Sequence, residues 1–371
     1  MQEIDMKALA ALVLWATFGL SVLFGAITQR THFCTMGAVA DIVNMGDWAR
    51  MRMWIMAMGV AMIGFNVMVA VGWLDASNSI YGGPRFMWLS ALVGGAMFGF
   101  GMVLASGCGS KTLVRIGGGN LKSLVVFVVL GVSAFATLKG ITAVARVATV
   151  DSVALSLTSG QDLPSLFAAG TGVAKTTLAA ALGLAFGGAL VVWAVARAEG
   201  RSGDNLLAGF GVGAVIVAVW WVSGRLGHVA EDPNTLQEAF VATNSHRMES
   251  LSFVAPVAYT LDWLMFFSDK AKLLSAGIVS VVGVVVGSAA YALASKSFRW
   301  EGFRGAQDTA NHLVGAVLMG IGGVTALGCT IGQGLSGMST LSLTSFVAVA
   351  AIVAGAVAAL RFQIWRVERA A

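Results

Sequence analysis

Long apolar runs are the feature that most constrains this chain of 371 residues. Each run is long enough, or nearly so, to cross the ~30 Å hydrocarbon core of a bilayer as a helix. Only 11% of the residues are charged, against roughly a quarter in soluble domains. The pattern predicts an all-α polytopic membrane protein with about nine transmembrane helices, whose runs begin near Ala8, Met53, Phe86, Leu121, Thr176, Leu206, Leu273, Leu313 and Leu341.

The charges of the loops predict the orientation. If the N-terminus lies outside, 14 of the 23 Lys and Arg residues fall in cytoplasmic segments. The others lie mostly in two long segments, 139–175 and 225–271, which count least in the positive-inside rule. We therefore expect an outside N-terminus and a cytoplasmic C-terminus. In the second outer segment, "EDPNTLQEAF" (231–240) begins like a capped helix at the outer surface.

Two similar segments predict an internal repeat. Residues 94–108 match residues 315–329 at seven of fifteen positions, which aligns Cys108 with Cys329. Five crossings separate the equivalent runs, so the second repeat is predicted to be inverted, as in many transporters. Two runs, Leu206–Val222 and Leu313–Leu327, are short and interrupted by glycine, as binding segments of transporters are. The predicted division is a first repeat at 1–145, a connecting segment with the fifth span at 146–204, and a second repeat at 205–371.

Both cysteine segments, Ser106–Asn120 and Leu327–Thr340, are rich in glycine and continue directly from apolar runs. Irregular backbone survives at membrane depth only where protein buries it or where it lines a wet cavity. We therefore predict re-entrant Gly-Cys loops with half-helices, whose free N–H groups can bind an anion. Ordinary tight turns are the alternative. A third interrupted segment, Ile27–Val43, contains Cys34, and its proposed counterpart, Met248–Leu264, has no cysteine.

All three cysteines lie in these interrupted segments, although a single cysteine in a membrane helix is usually a packing residue. No CxxC or HxxxH spacing supports a metal site. "GCGSKT" lacks the glycine before Lys111 and the preceding strand of a phosphate loop, so it predicts no nucleotide site. We also expect no cofactor, no catalytic residues and no nucleic-acid partner. The candidate substrate-binding residues are Cys34, Cys108, Cys329, Gly107, Gly109, Lys111, Gly328, Thr330 and Gln333.

Lys111 has two interpretations. It either attracts an anion or only anchors the cytoplasmic boundary of the membrane. A fully desolvated dianion is costly without compensating donors. If a dianion is desolvated here, backbone dipoles and neutral donors such as Thr330 and Gln333 would carry most of its stabilisation.

Three motifs, "RTHFCTMGAVADI", "SGCGSK" and "LGCTIGQG", in that order, resemble the YeeE/YedE family of bacterial inner-membrane proteins, and most of all its thiosulfate-uptake branch. The family pattern is a small residue, Gly-Cys, two residues and Gly. Cys329 fits it through Gly332, whereas Cys108 has Lys111 in place of the last glycine.

The resemblance implies inner-membrane import of thiosulfate through a central constriction lined by Cys34, Cys108 and Cys329. These thiols would pass the ion along by weak S–H···S hydrogen bonds. A thiol is a weak, soft donor that suits a polarisable sulfur atom, and weak sites let an ion leave as well as enter. The expected partners are thiosulfate, the lipid bilayer and a cytoplasmic TusA-like sulfurtransferase.

Other functions stay open at this point. One is transport of selenium species or sulfite by the same passage. A second is a membrane sulfur relay in which one cysteine becomes a persulfide, which would require a nucleophilic thiol such as Cys108 beside Lys111. A third is a structural membrane subunit, in which the cysteines would have no function.

Overall fold

The computed structural model describes residues 6–233 and 236–370, and this part of the chain is mostly helical. Its α-helices are α1 (Met6–Thr31), α2 (Thr35–Met45), α3 (Ala49–Ala70), α4 (Trp88–Leu104), α5 (Gly109–Gly117), α6 (Leu121–Lys139), α7 (Ile141–Ala148), α8 (Leu163–Thr171), α9 (Lys175–Val195), α10 (Gly203–Trp221), α11 (Ala255–Met265), α12 (Ala276–Ala294), α13 (Ala306–Thr325) and α14 (Leu343–Ala370). Short 3₁₀ turns lie at Ala76–Asn78 and Ala198–Arg201, and π-helical turns at Val222–Leu226 and Gly332–Gly337.

Two antiparallel pairs of very short strands connect the loops. β1 (Arg85–Phe86) pairs with β2 (Leu155–Ser156). β3 (His228–Val229) pairs with β4 (Ala239–Phe240). These pairs tie loops on one face of the helical bundle and do not change its class.

Eight helical segments of the described chain are long and apolar enough to cross a membrane, which confirms an all-α polytopic membrane protein. The sequence predicted about nine. The run near Leu313 lies in α13, which is helical, but its first turns carry Asp308 and His312 and so shorten its apolar stretch. The eight segments are Met6–Met45, Ala49–Ala70, Trp88–Gly117, Leu121–Lys139, Lys175–Val195, Gly203–Leu226, Ala276–Ala294 and Leu343–Arg369.

Two predictions of local structure are wrong. The short run Leu206–Val222 belongs to a segment of 24 residues, because α10 continues into the π-helical turn. Residues 231–233 and 236–240 do not form the predicted capped helix. Instead β4 pairs with β3, and the His228 ring forms a 2.7 Å hydrogen bond with Glu238. The remaining two positions of that stretch, 234 and 235, lie outside the described residues.

Glycine lets α4 and α13 pack closely, as small residues do between membrane helices. A methyl group added at Gly94 would lie 2.7 Å from the carbonyl oxygen of Gly322, and one added at Gly101 would lie 2.7 Å from that of Gly315. The contact is therefore antiparallel. The contact is also reciprocal. The sequence alignment makes Gly94 equivalent to Gly315 and Gly101 equivalent to Gly322, so the contact of Gly94 with Gly322 corresponds to the contact of Gly315 with Gly101.

The same reciprocity extends to whole helices. α1 packs on α12 and α10 packs on α3, while α4 packs on α14 and α13 packs on α6. A two-fold axis that relates α1, α3, α4 and α6 to α10, α12, α13 and α14, respectively, would produce these pairings. α9 lies against α3 and stands outside this arrangement. The division of the chain at 146–204 stays a prediction.

Candidate functional site

The chain leaves α4 and α13 through turns of the same geometry. Ser106 and Leu327, the second residue after each helix, both have a φ of 57°. In both turns two successive N–H groups donate to carbonyls three and five residues earlier, at 3.1 and 2.8 Å. This is the Schellman arrangement that ends many helices. A serine and a leucine occupy the left-handed position, and Gly107 and Gly328 follow.

Each cysteine stands at the start of a short helical segment. Cys34 caps α2, and its Sγ accepts a hydrogen bond from the N–H of Gly37 at 3.3 Å. The Sγ of Cys329 accepts from the N–H of Gly332 at 3.4 Å, at the start of the π-helical turn. Cys108 precedes α5, and its Sγ lies 3.3 Å from the hydroxyl of Ser110. Because helix N-termini carry partial positive charge, all three thiols lie where an anion is stabilised.

The three cysteines are buried and lie near one another. Cys34 and Cys329 each interact electrostatically with Cys108, which is thus common to both pairs. An irregular segment before α11 connects the two Gly-Cys turns. A methyl group at Gly109 would lie 2.7 Å from the carbonyl oxygen of Phe253. The hydroxyl of Ser336 donates to the carbonyl of Leu251 at 2.8 Å.

Several buried donors near the cysteines have no hydrogen-bond partner among the described residues. Thr35 and Thr330 follow Cys34 and Cys329 directly, and the hydroxyl oxygen of each is unpaired. Two aromatic donors, the indole N–H of Trp54 and the hydroxyl of Tyr81, are also unpaired. An unpaired buried donor is costly, and an exogenous acceptor would satisfy it. The site therefore presents free donors to an anion.

The two aromatic donors lie beside the π-helical turn. A methyl group at Gly332 would lie 3.4 Å from the Tyr81 hydroxyl, and one at Gly334 would lie 2.6 Å from the ring of Trp54. Sequence reasoning missed Thr35, Trp54 and Tyr81. Thr35 could have been found from its position next to a cysteine, whereas nothing distinguishes Trp54 or Tyr81 from other aromatic residues of an apolar chain.

Positive charge gathers at the α5 end of the site. Lys111 interacts electrostatically with Cys34 and Cys108, and it lies near Arg50 and Arg115. Arg115 donates to the carbonyl of Ser106 at 2.6 Å, and Arg50 forms an ion pair with Asp41 at 2.5 Å. Within residues 6–233 and 236–370, no carboxylate lies within ion-pair distance of Lys111. Its charge is therefore available to an anion.

Gln333 supports the site rather than offering a free donor pair. It is fully buried, its Nε2 donates to the carbonyl of Ala326 at 2.5 Å, and its Oε1 accepts from the hydroxyl of Ser345 at 2.7 Å. The side chain thus ties the end of α13 to α14 across the Cys329 turn. Of the predicted glycines, Gly109 permits the close approach of Phe253, whereas Gly107 faces the side chains of Lys111 and Arg115.

A cavity of about 330 Å³ reaches the Cys329 turn from the face of the bundle at which α10 ends and α12 begins. Ser252 and Gly328 line its inner end, and Arg247 and Glu249 are among its other lining residues. Its volume is sufficient for a small anion with its water. Among the described residues, no cluster of three or more His, Cys, Asp or Glu side chains could hold a metal ion.

Interrupted helices that place buried thiols and unpaired donors inside a polytopic bundle define a membrane transport protein of the broken-helix kind. More narrowly, the chain belongs to the sulphur transport family, the YeeE/YedE proteins, because its residues 30–358 match that family. The family resemblance inferred from the three cysteine motifs is confirmed.

Two relatives match most of the chain. The thiosulfate transporter TsuA of Escherichia coli K12 is 27% identical over 322 residues, which cover 84% of each chain. The thiosulfate transporter TsuA of Spirochaeta thermophila is 27% identical over 351 residues, which cover 91% of this chain and 94% of the relative. A probable transporter of Salmonella typhimurium, YedE, is 32% identical over 103 residues, 26% of this chain and 23% of its own length.

Proposed function

We propose that this protein takes up thiosulfate across the bacterial inner membrane through a passage lined by its three cysteines. The observation that carries the proposal is the position of Cys34, Cys108 and Cys329, each buried at the start of a short helical segment. The family and the names of the relatives that match most of the chain agree with a sulfur anion as substrate.

The chemistry of the site fits a soft dianion. Removing such an ion from water is costly, and the cost must be offset by donors already in place. Three helix N-termini, the unpaired hydroxyls of Thr35 and Thr330 and the free charge of Lys111 provide them. A neutral thiol is a weak donor that suits the terminal sulfur of thiosulfate, and weak binding allows onward movement.

The proposal includes an inverted repeat and an orientation. Residues 1–145 and 205–371 form the two repeats, each with a re-entrant Gly-Cys loop; the reciprocal contacts of α4 and α13 and the matched turns support this division. The N-terminus is periplasmic and the C-terminus cytoplasmic, in agreement with the loop charges. Lys111 then lies towards the cytoplasm, where a TusA-like sulfurtransferase would accept the ion.

One observation favours a second candidate. Lys111 carries an unpaired charge close to Cys108, and a cation beside a thiol promotes nucleophilic chemistry. In that case the Cys108 thiolate would attack the terminal sulfur of thiosulfate, break its S–S bond and release sulfite, and the resulting persulfide would pass that sulfur to a cytoplasmic acceptor thiol. Selenium species or sulfite are alternative substrates of the proposed passage, and sulfite differs because it has no terminal sulfur for a thiol to meet.

Uptake of radiolabelled thiosulfate by cells that lack other thiosulfate importers tests the proposal. The variants are Cys108→Ala and Cys329→Ala, compared at equal membrane expression with Thr137→Ala, which removes a buried hydroxyl from α6. We expect both cysteine variants to lose at least about tenfold in rate, the equivalent of ~1.4 kcal/mol of barrier, while the control transports normally.

The alternatives give different results. Wild-type cells that do not take up thiosulfate contradict the proposed substrate, and direct uptake of labelled selenite or sulfite by the same cells then identifies the replacement. Normal uptake by both cysteine variants contradicts the thiol-lined passage. Rapid alkylation of Cys108 near neutral pH, prevented by Lys111→Gln, would favour the persulfide relay.

A further inference from the structure

An acidic residue lies on the route into the cavity. The chain between β4 and α11 enters the protein beside the loop after α3, where Met248 bridges to Ser79. The next residue, Glu249, is fixed through its backbone: its carbonyl accepts from the hydroxyl of Ser223 at 2.5 Å, and its N–H donates to the same hydroxyl at 3.2 Å. Its half-buried side chain lines the cavity that ends at Gly328. Glu249 and Gly328, the residue before Cys329, thus line the same cavity.

The carboxylate of Glu249 has hydrogen bonds but no cation partner within ion-pair distance in the described part of the chain. Its Oε2 accepts from the hydroxyl of Ser245 at 2.9 Å. The two arginines of the cavity are engaged elsewhere, since Arg247 donates to backbone carbonyls and Arg146 forms an ion pair with Asp151 at 3.0 Å. The titratable and charged groups around Glu249, from all the packed elements, are Tyr81, Arg146, Arg247 and Tyr259, with the exposed His246 in the adjoining loop.

A negative charge at this position opposes the proposed cargo. Two like charges in a narrow cavity of low dielectric repel each other far more strongly than in water. The neutral carboxyl has the opposite effect, because its O–H can donate a hydrogen bond to an anion. Protonation of the Glu249 carboxylate therefore replaces a repulsive charge with a hydrogen-bond donor.

We propose that Glu249 is a proton-controlled selectivity residue at the cavity entrance of the passage, where its neutral form admits a dianion and its ionised form excludes it. The inference rests on the proposed function and adds a regulated entrance to it. The proton is exchanged with water in the cavity, and no proton needs to follow the ion across the membrane.

The titration of Glu249 supports this role. Burial raises the pKa of the carboxyl to about 7, against the opposing effect of the hydrogen bonds from Ser245 and the backbone of Asn244. Glu249 is thus mostly neutral one unit below pH 7 and mostly ionised one unit above it. Thiosulfate itself stays fully ionised over this range, so a change in its uptake reports on the protein.

The test uses purified full-length protein in proteoliposomes, with radiolabelled thiosulfate and the same pH on both sides of the membrane. Equal pH removes any proton gradient as a driving force. We expect the wild-type initial rate to fall about tenfold between about pH 6 and about pH 8, as one titrating carboxyl predicts. Glu249→Gln is expected to transport at a high rate that no longer varies with pH. His246→Gln, in the adjoining loop, and Glu231→Gln, an exposed carboxylate outside this group, should keep the wild-type profile.

A second variant covers the case in which Glu249→Gln does not fold. Ser245→Ala removes a donor to the carboxylate and should raise the pH at half-maximal rate by up to about one unit. A wild-type rate that is independent of pH, a pH dependence retained by Glu249→Gln, or one lost in His246→Gln overturns the inference while leaving thiosulfate transport intact. Absence of uptake by wild-type protein at every pH contradicts the proposed function itself, and the inference falls with it.

Discussion

The turns that follow α4 and α13 have the same backbone and different chemistry. Each ends its helix with a left-handed residue, then a glycine, then a buried cysteine. After Cys108 the chain forms an ordinary α-helix with Lys111 and Arg115 on it. After Cys329 it forms a π-helical turn, and no charged residue occurs between Leu327 and Thr340.

The difference shows which part of the motif determines which property. The Gly-Cys pair and the residue before it set the helix end, because hydrogen bonds to carbonyls three and five residues earlier need only the local chain. The residues after the cysteine set the electrostatics. The Cys329 turn therefore offers neutral donors, and the Cys108 turn adds positive charge. An anion that enters by the Cys329 turn meets increasing positive potential towards α5.

The largest effect is expected from adding charge to the neutral turn. Gln333→Glu places a carboxylate at a fully buried position whose Nε2 normally donates to the carbonyl of Ala326. An uncompensated buried charge costs about 3–5 kcal/mol, so folded protein should be nearly absent from the membrane. Fluorescence-detected size-exclusion chromatography measures the folded fraction. Gln237→Glu, at an exposed position between β3 and β4, is the control, and equal folding of the two variants would show that Gln333 does not brace the turn.

A backbone contact distinguishes the glycines around Cys108. A methyl group at Gly109 would lie 2.7 Å from the carbonyl oxygen of Phe253, whereas one at Gly107 would meet only side chains, those of Lys111 at 3.3 Å and Arg115 at 3.6 Å. Gly109→Ala should therefore destabilise the protein by about 1–3 kcal/mol, as overpacking does, and should separate the two turns. Gly107→Ala should be close to neutral. Thermal unfolding in detergent compares them, and similar melting temperatures would contradict the close approach at Phe253.

How much of this could be read from the sequence depends on the distance between partners along the chain. The apolar membrane helices are local patterns that the sequence predicts, whereas the re-entrant Gly-Cys loops and the substrate role of the three cysteines stay predictions. The role of Gln333 depends on Ser345, and the donors Trp54 and Tyr81 reach the site from other elements. No periodicity encodes such contacts. The two left-handed residues are not predictable from propensity, because Leu327 and Ser106 adopt a backbone conformation that glycine favours.

An effect on function without loss of stability is expected at Thr330. Its buried hydroxyl has no partner among the described residues, so Thr330→Val removes an unsatisfied group and should not lower the melting temperature. If the hydroxyl binds the ion, the rate of thiosulfate uptake should fall about tenfold, the loss of one hydrogen bond to a charged group.

Thr340 provides the matched control for this variant. Its hydroxyl is also buried but donates to the carbonyl of Gly337 at 2.7 Å. Thr340→Val should therefore cost about 1 kcal/mol of stability and leave uptake unchanged. The reverse result, in which Thr330→Val transports normally and melts at a lower temperature, would assign Thr330 to the structure of the turn.

The smallest effect is expected where the two turns differ most in charge. Lys111→Gln removes the unpaired cation at the α5 end but leaves its length and helix propensity similar. Because the side chain is only partly buried, its attraction for an anion is worth ~1 kcal/mol, which corresponds to about fivefold in uptake at low salt. Raising the ionic strength should shrink this difference, since salt screens charges that solvent reaches. Lys111→Arg keeps the charge and should transport like wild type. If Lys111→Gln also transports like wild type at low salt, then Lys111 only anchors the boundary of the membrane, and the neutral donors shared by both turns suffice to carry the ion.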